Sequence, residues 1–337
     1  MNIKISGLIN PPSTSPTGSF SVSTYYESTD NTLVATGTLD PIAATVDSIA
    51  SANVDVTASS YVVNEAAVTY SLQMTVVNGI PAGGYFDIKI PSEIAMDEAS
   101  TPSHCSININ STSYISTDCT VGIINSSSAV TFTNPFPSDA VAGTVFIARI
   151  STVFTNPIST EPTSSFGIYT YHSNGFSIAE IDTSLTVQMN TASSFNSFGI
   201  TRGSSKNYET TIYTFSFNQV SPIEASGKII LNFPSDVTPS ANSVVTLTAP
   251  SSQLLVSSLT NSIFTITLPA ASIATGTTVT FTINNILNPP SFAPAGNFIL
   301  QTKTANNLYL YTYGISSVSL INDAPSAFEA ITSDFTP

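Results

Sequence analysis

Large apolar side chains alternate with polar ones over most of the chain. In Tyr70-Ser71-Leu72-Gln73-Met74-Thr75-Val76 every second residue is apolar, and Tyr213-Thr214-Phe215-Ser216-Phe217-Asn218 repeats the pattern in register. Phe86, Ile88 and Ile90 share one face of their segment, and Ile229, Leu231 and Phe233 occupy the matching places further on. Thr278 to Ile283 alternates as strictly. A period of two sets one strand face on a core and the other in water. The stiff χ1 of Val, Ile and Thr favours the same geometry. No segment keeps helical spacing of apolar residues over a helix length. Pro91, Pro157, Pro234 and Pro289 stand where strands should end, because proline donates nothing to a ladder. The pattern predicts an all-β protein of tandem immunoglobulin-like antiparallel β-sandwiches, with about seven or eight short strands in each. The chain lacks Trp, so the Cys…Trp…Cys signature of immunoglobulin domains is absent.

Three blocks recur. Asn10-Pro11-Pro12-Ser13 with Phe20 returns as Asn156-Pro157-Ile158-Ser159 with Phe166, and again as Asn288-Pro289-Pro290-Ser291 with Phe298. The stretch from Tyr70 through Ile80 and Gly84 to Pro91 returns from Tyr213 through Ile223 and Gly227 to Pro234. Gly143, Phe146 and Ile150 return as Gly276, Val279 and Ile283. The expected division is 1–47 as the C-terminal part of one unit, 48–189 and 190–322 as complete sandwich units, and 323–337 as the first strand of a further unit. The first complete unit is ten residues longer between Pro91 and Gly143. The chain then reads as a window on a longer tandem array, in which units contact their neighbours.

Only 8% of residues are charged, and seven Lys and Arg face 21 Asp and Glu. Phosphate recognition needs basic clusters, so nucleic acid is excluded as a partner. No apolar run is long enough for a membrane span. Serine and threonine, 99 residues together, supply the solubility that charge usually supplies. Two cysteines, Cys105 and Cys119, suit a loop-closing disulfide, with two free buried thiols as the alternative. His104 lies beside them, but a zinc site would need further ligands. Asn110-Ser111-Thr112 and Asn125-Ser126-Ser127 are N-glycosylation acceptor triplets. The clusters around Ser13, Thr14, Thr17 and Ser159, Thr160, Thr163 fit O-glycosylated loops or ordinary polar turns. These features point to an extracellular or cell-surface location.

Chemistry is sparse. Two histidines, His104 and His172, and no Gly-x-Ser-x-Gly leave no nucleophile motif. Asp97, Glu98, Glu180 and Asp182 are the candidates for a glycosidase pair, but acidic residues in an acidic chain are mostly solvated. Asn322-Asp323 is a weak calcium candidate, since calcium needs six to eight oxygens; a capped turn is the other reading. The expectation is no enzyme and no cofactor beyond covalent glycans, with calcium left open.

The block from Asn10 to Tyr25, its return from Asn156 to Tyr171, and Gly84-Tyr85-Phe86-Asp87-Ile88-Lys89-Ile90-Pro91 resemble the tandem β-sandwich repeats of giant surface proteins of protists, ciliates and algae among them. The filament proteins of flagellar hairs (mastigonemes) are similar in style. The resemblance implies an extracellular, glycosylated structural protein, and carries over no catalytic residues. The expected function is a repeat segment of a surface filament that assembles with copies of itself or with neighbouring repeats through sandwich edges and ends. The alternative is the stalk of an adhesin.

Overall fold

The computed structural model describes residues 4–26, 32–110, 113–195, 197–290, 295–305 and 310–315. The chain divides into two compact units, one of residues 1–60, 66–156 and 162–188, the other of 61–65, 157–161 and 189–337. Strands dominate both. Among the described residues the only helical turns are the short 3-10 segments Ser51–Asn53 and Thr101–Ser103.

The first unit begins with a two-stranded antiparallel sheet, β1 (Phe20–Tyr25) and β2 (Leu33–Leu39). Then come β3 (Asp47–Ser48), β4 (Val54–Ala58), β5 (Val68–Thr75), β6 (Tyr85–Lys89), β7 (Ala95–Met96), β8 (Cys105–Ile109), β9 (Ile115–Ser116), β10 (Cys119–Ile124), β11 (Ser127–Phe132), β12 (Val145–Thr155), β13 (Gly167–Tyr171) and β14 (Ser177–Ile181). They make two sheets, ordered β10-β11-β6-β13-β14-β3 and β4-β5-β12-β8-β9, with β7 also paired to β12. Alternation along β5 and β12 buries Tyr70, Leu72, Met74, Phe146, Ala148 and Ile150. From the other sheet β6, β11 and β13 bury Phe86, Ile88, Val130, Phe132 and Ile168. Phe86 meets Phe146 across the sheets at 4.9 Å between ring centroids and stacks on Phe132 at 4.7 Å within its own sheet. Each such fully buried ring contributes about 1.5–3 kcal/mol of transfer free energy.

The second unit holds β15 (Ser193–Ser194), β16 (Phe198–Arg202), β17 (Thr210–Asn218), β18 (Lys228–Asn232), β19 (Thr238–Pro239), β20 (Val245–Ala249), β21 (Gln253–Thr260), β22 (Ile263–Thr267), β23 (Thr278–Leu287), β24 (Ile299–Lys303) and β25 (Leu310–Ile315). Here one continuous ladder runs β15-β25-β24-β18-β22-β21-β20-β23-β17-β16, with β19 on β23. The link is β21. Its residues Gln253–Leu255 pair with β20, and Val256–Thr260 pair with β22. One long strand therefore serves both layers of the sandwich. The core between them carries Tyr213, Phe215, Phe217, Ile229, Leu231, Phe264, Phe281 and Phe298.

One hairpin occurs three times. Thr24/Tyr25 of β1, Thr170/Tyr171 of β13 and Thr302/Lys303 of β24 each carry a bulge against β2, β14 and β25 respectively. The bulge falls at the same distance after Phe20, Phe166 and Phe298. In both sandwiches the outer edge of the hairpin is taken by an internal strand, β6 beside β13 and β18 beside β24. The β1–β2 hairpin has no such strand among the described residues. Phe20 is 39% exposed and Val22 41%, whereas Phe166, Ile168, Phe298 and Leu300 are at most 1% exposed.

The ten extra residues of the first unit are not one inserted loop. By strand register Cys105 matches Val245 and Cys119 matches Ser257. Three extra residues precede Cys105, two lie between the cysteines, four lengthen the β10–β11 hairpin, and one follows it.

Candidate functional site

The polar face of the β10-β11-β6-β13-β14-β3 sheet carries the richest grouping of functional side chains. Alternation that sends Phe86 and Ile88 inward turns Tyr85, Asp87 and Lys89 outward. Tyr169 and Tyr171 on β13 and Thr131 on β11 share that face through the pairs Tyr171↔Tyr85, Tyr169↔Asp87 and Thr131↔Asp87. The rings of Tyr85 and Tyr171 stack at 4.8 Å with 18° between planes. Asp87 is buried beneath them, and Thr131 Oγ1 donates to its Oδ1 at 2.6 Å. The Tyr171 hydroxyl donates to the same carboxylate. Gly167 stands opposite Lys89, where an added Cβ would come within 3.2 Å of the lysine chain, so glycine lets Lys89 lie flat across β13. Lys89 Nζ reaches Asp182 Oδ2 at 4.0 Å.

Burial and charge set the protonation of this face. Burial pushes the Asp87 carboxyl up, and the hydrogen bonds from Thr131 and Tyr171 draw it part of the way back. Burial, then the Asp87 charge, raises the phenols of Tyr85 and Tyr171. Burial and the nearby Asp182 and Glu180 raise Tyr169. The phenols therefore stay neutral and act as hydrogen-bond donors. In the second unit the matching positions hold Lys228, Ile230, Asn232, Gln301 and Lys303, so this cluster belongs to one unit alone. The sequence pattern alone does not single this cluster out. The signal was present in Gly167-Ile168-Tyr169-Thr170-Tyr171, where Tyr169 and Tyr171 alternate against the inward Ile168.

Cys105 and Cys119 are joined by a disulfide. Cys105 lies on β8 and Cys119 on β10, in opposite sheets. The bond thus connects the two layers at the side where β21 runs continuously through the second unit. A disulfide of this kind is at home in an oxidising compartment.

The remaining candidates are dispersed. Asn125 and Ser126 have φ of 49° and 65° and form the exposed turn between β10 and β11, with Asn125 Nδ2 donating to the Tyr169 hydroxyl at 3.5 Å. Asn261 and Ser262 repeat those dihedrals between β21 and β22. Asn110 is exposed at the end of β8, and its partners Ser111 and Thr112 lie outside the described residues. Of the two readings of the Ser/Thr clusters, burial favours the structural one at three positions. Ser13, Ser159 and Thr163 are buried. Ser13 Oγ accepts the Ser15 N–H, Ser159 Oγ accepts the Glu161 N–H, and Thr163 Oγ1 accepts the Val187 N–H. The hydroxyls of Ser13 and Ser159 close turns, that of Thr163 ties its segment to Val187, and none of the three is open to a sugar. Thr14, Thr17 and Thr160 are half-buried, and Thr17 Oγ1 accepts the Ile42 N–H.

The carboxylates are spread and locally engaged. Asp97 accepts the Ser100 hydroxyl at 2.7 Å and its N–H at 3.3 Å, which hold its carboxyl below the usual range. Glu98 accepts the Ser128 hydroxyl. Asp182 faces Lys89, and Glu180 is exposed on β14. His104 Nδ1 lies 2.8 Å from the Ser100 carbonyl, and His172 sits in the β13–β14 turn against Ser173. Among the described residues no group of three or more His, Cys, Asp or Glu comes together around a common point. Asn322 and Asp323 lie outside the described residues. No described helix is long and apolar enough to cross a membrane.

No family model matches the sequence, and neither does any protein in the curated set. Solved structures with a similar trace include bacterial surface domains rich in β-strands. A serine-rich repeat adhesion glycoprotein of Streptococcus agalactiae is 13% identical over 81% of this chain and 96% of its own, with a TM-score of 0.25. The collagen-binding domain of the surface protein RspB of Erysipelothrix rhusiopathiae is 11% identical over 78% and 86%, with a TM-score of 0.22. The bacterial hydrophobin BslA is 14% identical over 40% of this chain and all of its own, with a TM-score of 0.27. Likenesses at this level carry no statement about activity.

Proposed function

We propose that this chain is a structural segment of an extracellular or cell-surface fibre, built from repeated sandwiches and without enzymatic activity. The observation that carries the reading is the threefold hairpin. The same bulged hairpin ends two sandwiches and opens the chain, where its apolar face stands open. Its strands carry no charge and no proline, the features that usually keep a sheet edge from pairing. A unit that repeats one self-complementary edge at near-regular spacing builds an open filament rather than a closed ring. The disulfide across the sheets and the exposed Asn110 and Asn125 fit an oxidising, glycosylating route.

A second reading, the stalk of an adhesin, is favoured by the Tyr85–Asp87–Tyr171 cluster, because a polar aromatic face present in one unit suits recognition better than repetition. Light scattering and electron microscopy of the secreted full chain separate the two. Concentration-dependent elongated assemblies support the fibre; a chain that stays monomeric at every concentration promotes the stalk.

A further inference from the structure

We propose that the open edge of β1 is an acceptor for one kind of strand: an extended segment with the alternation of β6 and β18, carrying large apolar side chains at alternate positions between a leading glycine and a closing proline. The proposal rests on the fibre reading only for the source of that strand.

The argument is positional. β13 meets β6 through Gly167↔Lys89, Ile168↔Ile88, Tyr169↔Asp87, Thr170↔Phe86 and Tyr171↔Tyr85. β24 meets β18 in the same direction, through Ile299↔Asn232 to Lys303↔Lys228. The bulge common to the three hairpins fixes the correspondence residue by residue. Ser21, Val22, Ser23, Thr24 and Tyr25 stand where Gly167 to Tyr171 stand, so the incoming strand would set its Ile88-type residue beside Val22 and its Phe86-type residue beside Thr24. Both filled edges have a glycine at the entry of the incoming strand. An added Cβ on Gly84 would lie 2.8 Å from the Tyr171 carbonyl oxygen, and one on Gly227 3.1 Å from that of Lys303. The entry point at Tyr25 therefore asks for glycine as well. At the open edge Val22 is 41% exposed, while Ile168 and Leu300 are fully buried once their neighbour is in place. Backbone pairing supplies affinity and the alternating side chains supply register.

The test uses the full chain and a synthetic peptide of residues 84–91. Amide exchange is followed by mass spectrometry over residues 20–26. The peptide is expected to slow exchange there at least tenfold at saturation. A control peptide with inverted alternation (Gly-Phe-Tyr-Ile-Asp-Ile-Lys-Pro) is expected to leave it unchanged. Val22→Lys is expected to abolish the effect, with the unfolding transitions of both units unaltered because Val22 lies outside both cores. The proposal is overturned by unchanged exchange at saturating peptide or by equal slowing with both peptides. Slowing that follows protein concentration without peptide supports it where free peptide displaces the copy, and overturns it where the peptide does not compete. A chain that binds the peptide yet never forms fibres keeps the acceptor and removes the fibre reading. Fibres that leave residues 20–26 unprotected do the reverse.

Discussion

The Tyr70 hydroxyl donates to Oδ1 of Asn156 at 2.7 Å, across 86 positions of sequence. Tyr213 makes the same bond to Asn288 at the same distance. In each case the amide nitrogen ties off a loop carbonyl, Ser60 in one unit and Ser204 and Lys206 in the other. A phenylalanine also leans on each tyrosine ring, Phe166 at 5.8 Å and Phe298 at 6.2 Å. Asn156 and Asn288, from the two later Asn-Pro blocks, are therefore buried brackets between the core and the loop at one end of their units, whereas Asn10 of the first block is exposed.

Removing the phenol tests that bracket. Tyr70→Phe and Tyr213→Phe should each cost about 1–3 kcal/mol, the range for a buried hydrogen bond with one partner deleted. Each loss should fall on its own unit. Denaturant unfolding of the two single variants should show separate transitions shifting, and equal shifts of both transitions by either variant would refute the assignment.

The disulfide acts in the first unit alone. Closing a loop of about 15 residues is worth roughly 3 kcal/mol in the chain-entropy account. Reduction, or replacement of both cysteines by serine, should lower the first unit's stability by that order and leave the second unchanged. Unfolding with and without reductant reads this directly.

Close backbone approach makes Gly84 and Gly227 intolerant. A Cβ would stand 2.6 Å from Ile80 Cγ2 in one case and 2.5 Å from Ile223 Cγ2 in the other, with backbone oxygens within about the same reach. Gly84→Ala and Gly227→Ala should each destabilise their unit by about 1–3 kcal/mol, the usual cost of overpacking. A change below about 0.5 kcal/mol in thermal unfolding would show that the isoleucines yield freely.

The pH response of the first unit should carry the signature of Asp87. Its carboxyl titrates above 3.8 when folded, chiefly through burial. A folded pKa above the unfolded one means that protonation favours the fold. This contribution grows as pH falls through the raised value and is complete below the unfolded one. Asp87→Asn keeps an acceptor for Thr131 and removes the charge. It should raise the melting temperature at neutral pH, with the gap to the unsubstituted chain closing on acidification. A gap that widens toward acid would reverse the sign and the explanation.

The strands were legible because period-two alternation is imposed by the backbone and needs no partner. The repeat was legible for the same reason, with Pro and Gly marking its ends. The brackets at Asn156 and Asn288 were visible only as recurring letters, since what an amide binds depends on a residue some eighty positions away. The outer cluster was hidden because β13 has large side chains on both faces, which blurs the contrast that alternation depends on. The turn serines stayed open between two readings because a hydroxyl that closes a turn and one that accepts a sugar occur in the same polar, proline-rich surroundings. Ser13 and Ser159 differ from glycan sites only in where the Ser15 and Glu161 amides lie.

The parallel pairing at the ends of each unit has a mechanical consequence. β3 runs parallel to β14, and β15 parallel to β25, so in each sandwich the first strand of the two layers lies beside a late one and points the same way. Tension applied through the chain pulls such strands past each other along their length. Their hydrogen bonds are loaded together, in shear, and cannot be peeled open one after another. A tether built from such units resists pulling through geometry, and the resistance does not depend on how stable each unit is at rest.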